Sequence, residues 1–272
     1  IKYGAFKGCS GLTSVEIPDS VTEIEYSAFS NCSSLTSITL PEGITALSDY
    51  LLSGCSLTTY EIPETVTSIG RSVFENCSKL SSISIPDSVE TIGSSAFANC
   101  TSLAEVYIPN SVTEIGNYAF RYCSGLTSIR LSENITSIGE WMFGGCSSLS
   151  TLVIPEGVTT INRYAFVDCS GLSSISLPDS VEEIGAAAFQ NCSSLTEVHI
   201  PAGVADIANY LFRNCSSLTS VEIPEGITSI GRSAFENCSS LTSVTIPSSV
   251  TTFGDDVFKD TPNVTIYGYR GS

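Results

Sequence analysis

The chain has 272 residues, of which 42% are hydrophobic, and this apolar content is enough for a large buried core. Eleven Lys and Arg residues stand against 28 Asp and Glu residues, which gives a net charge of −17. A surface this acidic would repel phosphate backbones, so we expect no nucleic-acid partner. No run of 18 apolar residues occurs, so we also expect no direct membrane insertion within this segment.

Cysteine recurs along the whole sequence at a nearly fixed interval. The spacing from Cys9 to Cys32 is repeated exactly between all later neighbours except Cys55 and Cys77, which are one residue closer together. A period of this length indicates a solenoid, in which each unit stacks on its neighbours because it cannot bury its apolar face alone. The cysteines are Cys9, Cys32, Cys55, Cys77, Cys100, Cys123, Cys146, Cys169, Cys192, Cys215 and Cys238.

The unit at residues 12–32, LTSVEIPDSVTEIEYSAFSNC, shows how one coil is composed. Leu12, Val15 and Ile17 fit the L-x-x-L-x-L frame of a leucine-rich repeat. Their period-2 alternation predicts a strand with Val15 and Ile17 facing the core. Pro18 ends this strand because it lacks an N–H and has a fixed φ, and a proline recurs at this point in nearly every unit.

Two shorter segments follow the strand within the same unit. VTEI, residues 21–24, is predicted to be a second short extended segment. AFSNC, residues 28–32, is predicted to be a short turn or a 3₁₀ piece that carries Phe inward. Phe recurs at this position in every unit except the one with Leu52, so stacked phenyl rings should fill the widest part of the core.

The repeat is irregular at two places. CSL at residues 55–57 replaces the usual CSSL, which shortens the loop before one strand and accounts for the one shorter interval between cysteines. TPNVTIYG at residues 261–268 lacks the cysteine, as a closing coil would. We therefore predict one solenoid domain over residues 1–272, an excerpt of a longer protein, with a closing coil at residues 261–272.

The full repeat pattern is L-x-x-I-x-I-P-x-x-V-x-x-I-G-x-x-A-F-x-N-C-S, as in residues 80–102 and 218–240. It resembles the BspA-like (Treponema pallidum-type) leucine-rich repeats over essentially the whole chain. The resemblance implies a leucine-rich-repeat solenoid of about eleven to twelve 23-residue coils, with a parallel β-sheet on the concave side and short extended segments and 3₁₀ turns elsewhere. Proteins of that family are typically surface or secreted proteins of bacteria or protozoa, and several are linked to adhesion. No catalytic residue is implied, because the motif consists of core positions.

Eleven cysteines raise the question of disulfides or a metal site. Equivalent Cα atoms of stacked coils would lie about 4.8 Å apart, within disulfide range, but their Cβ vectors would be parallel and the number of cysteines is odd. Zinc requires four ligands around a point, whereas a column of thiols forms a line. We therefore predict a column of buried free thiols, with no metal and no other cofactor.

Asparagine precedes cysteine in six units and creates N-x-S/T sequons such as NCS. These sequons could be glycosylation sites. We instead predict that the asparagine side chains hydrogen-bond the backbone of their own turn. The six residues are Asn31, Asn76, Asn99, Asn191, Asn214 and Asn237.

His199 is the single histidine and the natural starting point for a catalytic hypothesis. Ser176 and Glu222 occupy the equivalent outward positions of the flanking coils, so the three residues have the composition of a Ser-His-Glu triad. They would project in parallel from an open sheet, without an oxyanion hole or an enclosing pocket. We therefore predict that the chain is not an enzyme.

Acidic residues follow the proline in most units and would line one edge of the solenoid. Such an edge could recruit Ca²⁺, which takes six to eight oxygen ligands. The alternative, which we favour, is a solvated acidic edge that keeps the protein soluble. These residues are Asp19, Glu42, Glu64, Asp87, Glu133, Glu156, Asp179 and Glu225.

Outward positions on the predicted strands form two columns, in which most residues are Ser, Thr or Glu. The second column carries Tyr107 and Arg130 on adjacent strands and His199 further along. Tyr and Arg are frequent hot-spot residues of interfaces. These three residues are therefore one candidate ligand-binding group.

A second candidate group lies just before the Ala-Phe pair of each unit. Tyr118, Trp141 and Tyr164 occupy this position in three consecutive units, with Arg121 nearby. An aromatic patch with positive charge on an acidic protein is a candidate contact for a protein or glycan. The alternative is that these rings cover a hydrophobic ridge and extend only their polar tips to water.

The main interpretation is a non-enzymatic recognition or adhesion module, at the cell surface or secreted, that binds host or cell-surface proteins or glycans. The alternative is a structural spacer that binds no ligand itself. The uniform Ser and Thr residues of the strand columns favour the spacer, whereas Tyr107, Arg130 and Trp141 favour recognition.

Overall fold

The computed structural model describes residues 1–268, and these form a parallel β-solenoid of about eleven coils, as the period predicted. The chain divides into two compact units, unit 1 at Ile1–Ile135 and unit 2 at Thr136–Ser272, and each is described by itself. Nowhere in the described part does a helix occur that could cross a bilayer. Residues 269–272 of the predicted closing coil lie outside the described residues, and the single domain stays a prediction.

One long strand of three or four residues occupies each coil at the position of the L-x-x-L-x-L frame. In most long strands the middle residue is buried and its two neighbours are exposed, because successive side chains of a strand point to opposite faces. The long strands of unit 1 are Ser14–Glu16, Ser37–Thr39, Thr59–Glu61, Ser82–Ser84, Glu105–Tyr107 and Ser128–Arg130. Those of unit 2 are Thr151–Val153, Ser174–Ser176, Glu197–His199, Ser220–Glu222, Ser243–Ile246 and Thr265–Gly268.

Long strands of successive coils pair in parallel and in register. Ser14 pairs with Ser37, for example, which is the equivalent residue of the next coil. The described long strands of unit 1 form three two-stranded sheets, and those of unit 2 form one two-stranded and one four-stranded sheet. The ladder of long strands is therefore interrupted at several coil boundaries.

A second set of short strands, each of two residues, follows the proline turn and corresponds to the predicted second extended segment. In unit 1 they are Ala46–Leu47, Ser68–Ile69, Thr91–Ile92 and Glu114–Ile115, which form one parallel sheet. In unit 2 they are Ser137–Ile138, Thr160–Ile161, Glu183–Ile184, Asp206–Ile207, Ser229–Ile230 and Thr252–Phe253, which form two three-stranded sheets.

The third side of each coil is a turn face, which begins just before the Ala-Phe pair. Here alternate backbone N–H groups donate to carbonyl oxygens of the next coil, as Ser27, Phe29 and Asn31 do in unit 1. Between them, N–H groups donate to the carbonyl three residues earlier, as Ser30 does to Ser27. Ser27 and Asn31 have left-handed φ angles of 58° and 59°, so the segment is a series of turns and not a 3₁₀ helix.

Phenylalanine rings fill the core beneath the turn face. Neighbouring rings stack nearly parallel, with centroids 5.4 Å apart for Phe74 and Phe97 and 5.7 Å apart for Phe189 and Phe212. These four rings are fully buried, whereas Phe6 and Phe258 at the ends of the column are partly exposed. The predicted phenyl column is therefore confirmed within each unit.

Each buried cysteine is a free thiol, and nearly all donate a hydrogen bond to a backbone carbonyl of the preceding coil. The Sγ atom of Cys100 lies 3.1 Å from the carbonyl oxygen of Phe74, and Sγ of Cys215 lies 3.1 Å from that of Phe189. Thr261 occupies the cysteine position of its coil, and its Oγ1 donates to Phe235 at 2.7 Å. The position therefore selects a small side chain with one donor. The predicted column of buried free thiols holds from Cys32 to Cys238, whereas Cys9 of the first coil is exposed.

Hydroxyl groups join successive coils in a way that the sequence reading missed. In unit 2 the hydroxyl of Thr219 donates to the carbonyl oxygen of Thr196 at 3.1 Å, and Thr196 donates to Ser173 at 3.3 Å. In unit 1 Thr127 donates to Ala104 in the same way. The high Ser and Thr content therefore serves coil stacking as well as solubility.

The asparagines before cysteine form a ladder of side chains in unit 2. Asn191 Nδ2 donates to Asp168 Oδ1 at 2.6 Å, Asn214 to Asn191 at 2.6 Å, and Asn237 to Asn214 at 2.9 Å. The prediction that these side chains bond the backbone of their own turn is wrong here. The left-handed φ of this position keeps the local backbone groups bonded to the next coil, so each amide pairs with the equivalent side chain of the coil before it instead.

Candidate recognition surfaces

Tyr107 and Arg130 form a contact on the long-strand face of unit 1. They are register partners on Glu105–Tyr107 and Ser128–Arg130, and the guanidinium carbon of Arg130 lies 5.3 Å from the centroid of the Tyr107 ring. This is a cation–π distance, and Tyr107 remains 48% exposed. The prediction from the repeat period that Tyr107 and Arg130 lie on adjacent strands is therefore confirmed.

Among the described residues, Arg130 has no carboxylate partner, in contrast to Arg213. Arg213 is held by Glu236 of the next coil at 3.1 Å, whereas no described residue forms an ion pair with Arg130. The contact with the Tyr107 ring restrains the guanidinium, while the Arg130 residue is exposed to solvent. The pair is thus an exposed and pre-oriented donor group on a face that otherwise carries mostly Ser, Thr and Glu.

His199 lies on the long-strand face of unit 2, next to its register partner Glu222. Ser176, His199 and Glu222 rim an open depression of about 490 Å³. The strand of Ser176 is not paired with that of His199, and no hydrogen bond joins His199 to either residue within the described chain. A nucleophile and its base must be within hydrogen-bond reach, so this arrangement is not a triad.

Trp141 and Tyr164 lie side by side on the turn face of unit 2. Their ring centroids are 5.3 Å apart, and the interplanar angle is 29°. Both residues have left-handed φ angles, 55° and 60°. The Trp141 ring lies over Gly144, where a Cβ atom would come within 2.5 Å of Cε3. Both side chains are half-buried, so much of their area covers the turn face.

Tyr118 and Arg121 lie together on the turn face of unit 1. The guanidinium carbon of Arg121 is 5.7 Å from the Tyr118 ring centroid and 4.5 Å from that of Tyr122. Arg121 also donates to the Tyr122 hydroxyl at 3.1 Å. The predicted proximity of aromatic and cationic groups therefore holds here, and the arginine contacts both rings.

The acidic residues after the prolines are solvent-facing in most coils. Within residues 1–268, no group of three or more His, Cys, Asp or Glu side chains is placed to hold a metal ion. The carboxylates of this edge therefore do not converge on a point, as calcium coordination requires.

Together, the coil period, the in-register parallel strands and the stacked apolar columns define a leucine-rich repeat protein. A family model described as BspA type leucine rich repeat region (6 copies) matches residues 1–127, 48–173 and 142–265. The chain belongs to the BspA-type leucine-rich repeat family, and the resemblance seen in the sequence is confirmed.

Solved structures of bacterial proteins share this fold. A leucine-rich repeat protein from Bacteroides ovatus is 28% identical with a TM-score of 0.75, over 97% of this chain and 68% of that one. A leucine-rich cell surface protein from Faecalibacterium prausnitzii is 31% identical with a TM-score of 0.58, over 96% and 80%. The pneumococcal vaccine antigen PcpA, at 21% identity and a TM-score of 0.67 over 95% and 69%, supports the fold alone. A comparison with curated proteins finds no match.

Proposed function

We propose that this chain is a non-enzymatic recognition or adhesion module, displayed at the cell surface or secreted, that binds host or cell-surface proteins or glycans. The observation that carries the proposal is the exposed contact of Tyr107 with Arg130 on the long-strand face of unit 1. An exposed arginine that is already restrained by an aromatic ring loses less freedom on binding than an unrestrained one, which suits an interface anchor.

The other candidate residues are less favourable binding sites than Tyr107 and Arg130. Trp141 and Tyr164 cover each other and the backbone at Gly144, so part of their apolar area already has a structural use. His199 lies on the equivalent face of unit 2, but it has an acidic register partner and no aromatic neighbour on its strand. Recognition through the long-strand face of unit 1 is therefore the form of the proposal that we favour.

Localisation outside the cell is supported by family membership and by the printed description of the Faecalibacterium relative as a cell surface protein. The absence of enzymatic activity is supported by the same membership, since the repeat pattern consists of core positions.

A structural spacer is the second candidate function. The outward column that begins with Ser14, Ser37 and Thr59 offers little chemical variety for recognition. The hydroxyl bonds between coils show that Ser and Thr also have a stacking use in this chain. A spacer would hold another domain at a distance without binding a ligand.

Binding of the purified protein to an array of matrix proteins and glycans tests the proposal. In the first variant Tyr107 and Arg130 are replaced by Ser, the residue that Ser84 already places at the same outward position. In the second, Trp141 and Tyr164 are replaced by Ala, the residue that Ala187 already places at that position.

We expect the first variant to lose about tenfold or more in affinity and the second to change by less than about twofold. The reverse result would move recognition to the turn face. If the unmodified protein binds nothing, the spacer is favoured.

A further inference from the structure

Successive coils of unit 2 are normally joined by backbone hydrogen bonds on the short-strand face. Gly185 N donates to Ile161 O at 2.7 Å, and Gly231 N donates to Ile207 O at 2.7 Å. A second bond lies three residues earlier in each coil, as from Thr228 N to Ala205 O at 2.9 Å. These two bonds hold neighbouring coils at the spacing of a parallel sheet.

One boundary in unit 2 lacks both bonds. It lies between residues 172–194 and residues 195–217, and we call it the seam. Among the described residues, no backbone bond joins Ala205 N or Ala208 N to the preceding coil, and the sheet of short strands ends here. An open depression of about 350 Å³ lies at this point, lined by Ile184 and Ala208 among others.

The long strands of the same two coils are also unpaired, and on this face of the described chain only Thr196, just before them, donates to the preceding coil, from its N to Ser173 O at 3.3 Å. Ser174–Ser176 and Glu197–His199 are not paired, and Leu177 N makes no bond to His199 O, whereas Ile154 N donates to Ser176 O at 3.3 Å one coil earlier. Within either unit, no other boundary between described coils has both the long and the short strands unpaired.

The turn face of the seam remains closed. Ala187 N donates to Asn209 O at 2.9 Å and Phe189 N donates to Leu211 O at 3.1 Å. The thiol of Cys215 also donates to Phe189 O at 3.1 Å. The two coils are therefore joined along the turn face and by Thr196, which donates to Ser173 O just before the long strands, whereas the long and short strands themselves are unpaired.

Two residues distinguish the seam from the other boundaries of unit 2. Ala208 stands where Gly185 and Gly231 stand in their coils, and a Cβ at Gly231 would lie 2.5 Å from Asn209 N of the preceding coil. The methyl group of Ala208 would meet the same crowding at the normal coil spacing, and alanine has no polar group to compensate for it. Asn162 also carries a Cβ at this position and keeps the backbone bond, from its N to Ile138 O at 2.9 Å, where its Nδ2 adds a compensating bond to the same oxygen at 3.0 Å.

The second residue is Ala205, which has no hydroxyl. Thr228 and Thr251 occupy this position in the next two coils, and each places its Oγ1 3.5 Å from the carbonyl oxygen of the preceding coil. The Ala205 coil can make no such contact. Glu182 also lacks this hydroxyl, yet its N donates to Thr159 O at 2.9 Å in a coil that has Gly185. In the described part of unit 2, only the seam lacks both the hydroxyl and a residue that lets the backbones approach.

We infer that the seam is a built-in opening point of unit 2, at which residues 195–268 hinge about the closed turn face. Ser176 and His199 lie on opposite lips of the opening on the long-strand face. A partner that contacts both lips would bind one of the two states better and would shift the equilibrium between them. The opening itself requires no ligand, so its test is independent of the proposed recognition function.

Amide hydrogen exchange on the whole chain tests the inference, read by mass spectrometry with overlapping peptides. We expect the amides of residues 204–209 to exchange at least about tenfold faster than those of residues 227–232, the equivalent segment of the next coil. Equal protection of the two segments would show that the seam is closed in solution and would overturn the inference.

Two variants test the cause. Replacing Ala208 by Gly and Ala205 by Thr restores the residue types of the next coil, and should slow exchange at residues 204–209 to the rate of residues 227–232. Gly231→Ala is the matched control, because it places a methyl group at the equivalent position of a closed boundary and should speed exchange at residues 227–232. If neither variant changes exchange at its own boundary, the steric origin of the seam is refuted.

Discussion

Because its core contains a column of buried thiols, we expect this protein to lose stability at alkaline pH. Burial raises the pKa of Cys77, Cys123, Cys169 and Cys238 to about 12, from an ordinary value of 9.0. The cause is desolvation of the thiolate in an apolar core. Because the pKa in the folded state is raised, the stabilisation is present in full below pH 9 and is lost as the pH rises toward 12.

While the pH stays below the pKa of the thiols in the folded state, only the thiols of the unfolded chain ionise. The loss in the free energy of unfolding can therefore be calculated from the pKa of the unfolded thiols alone. At pH 10 an unfolded thiol with a pKa near 9 is mostly ionised, and it favours unfolding by about 1.4 kcal/mol. The four thiols held at about 12 together remove about 6 kcal/mol. Such a loss is comparable to the whole stability of an ordinary domain, so we expect the protein to unfold in mild alkali.

Urea unfolding followed by circular dichroism, in the presence of a reducing agent, measures this loss at pH 7.5 and pH 10. The matched control replaces Cys169 and Cys238 by Thr, the residue that makes the same carbonyl bond at Thr261. Its free energy of unfolding should fall by about 3 kcal/mol less between the two pH values. Tyr60, whose pKa burial also raises, is unchanged in both proteins. Equal falls in the two proteins, or no fall at all, would refute the reasoning.

Four further outcomes are expected. Unfolded, unreduced protein should titrate with eleven free thiols, and folded protein should react mainly at exposed Cys9; a count near one would show disulfides. Calcium at millimolar concentration should leave the melting temperature unchanged, and a rise with Ca²⁺ but not Mg²⁺ would contradict this. Phe166→Ala should lower the free energy of unfolding by about 3–5 kcal/mol, measured by chemical denaturation. Phe166→Leu, which places the residue of Leu52 at this position, should lower it clearly less. Equal losses would argue against the phenyl column. Asn214→Ala should unfold more easily than Asn214→Gly by about 1 kcal/mol, because its φ is 62°, and equal stabilities would argue against left-handed strain.

The residue pattern within one repeat and the length of the repeat are enough to predict the long strands and their pairing. The long strand at Glu105–Tyr107 follows from period-2 alternation before a proline, and its pairing with Ser128–Arg130 follows from the constant length of the repeat. The contact between Tyr107 and Arg130 could therefore be predicted without coordinates.

The left-handed residues of the turn face divide into one set that the sequence signals and one that it does not. At the position before cysteine, residues such as Asn31, Gly54 and Asp168 are types that tolerate positive φ, so the sequence indicates the conformation there, with Tyr122 (φ 58°) as an exception. At the earlier position, Tyr164 and Ala187 also have positive φ, and neither residue type indicates it. Bonds to the next coil impose the conformation, and such bonds are a tertiary property.

The seam could not be predicted from the period. Cys169, Cys192 and Cys215 are evenly spaced, so the repeat is regular in length where the backbone bonds are missing. The only signals are Ala205 and Ala208 in place of Thr and Gly, and both are ordinary substitutions in a repeat. Their effect depends on the distance to the preceding coil, which a single unit of sequence does not contain.

Coil stacking leaves few positions free to vary, and this links the fold to the proposed function. On the turn face, alternate N–H groups donate to the next coil, and along the core the Phe and Cys side chains stack on their equivalents. The outward residues of the long strands make none of these bonds through their side chains. Substitutions at Tyr107 and Arg130 should therefore cost little in folding, so the binding that we propose for this face can vary while the coils still stack.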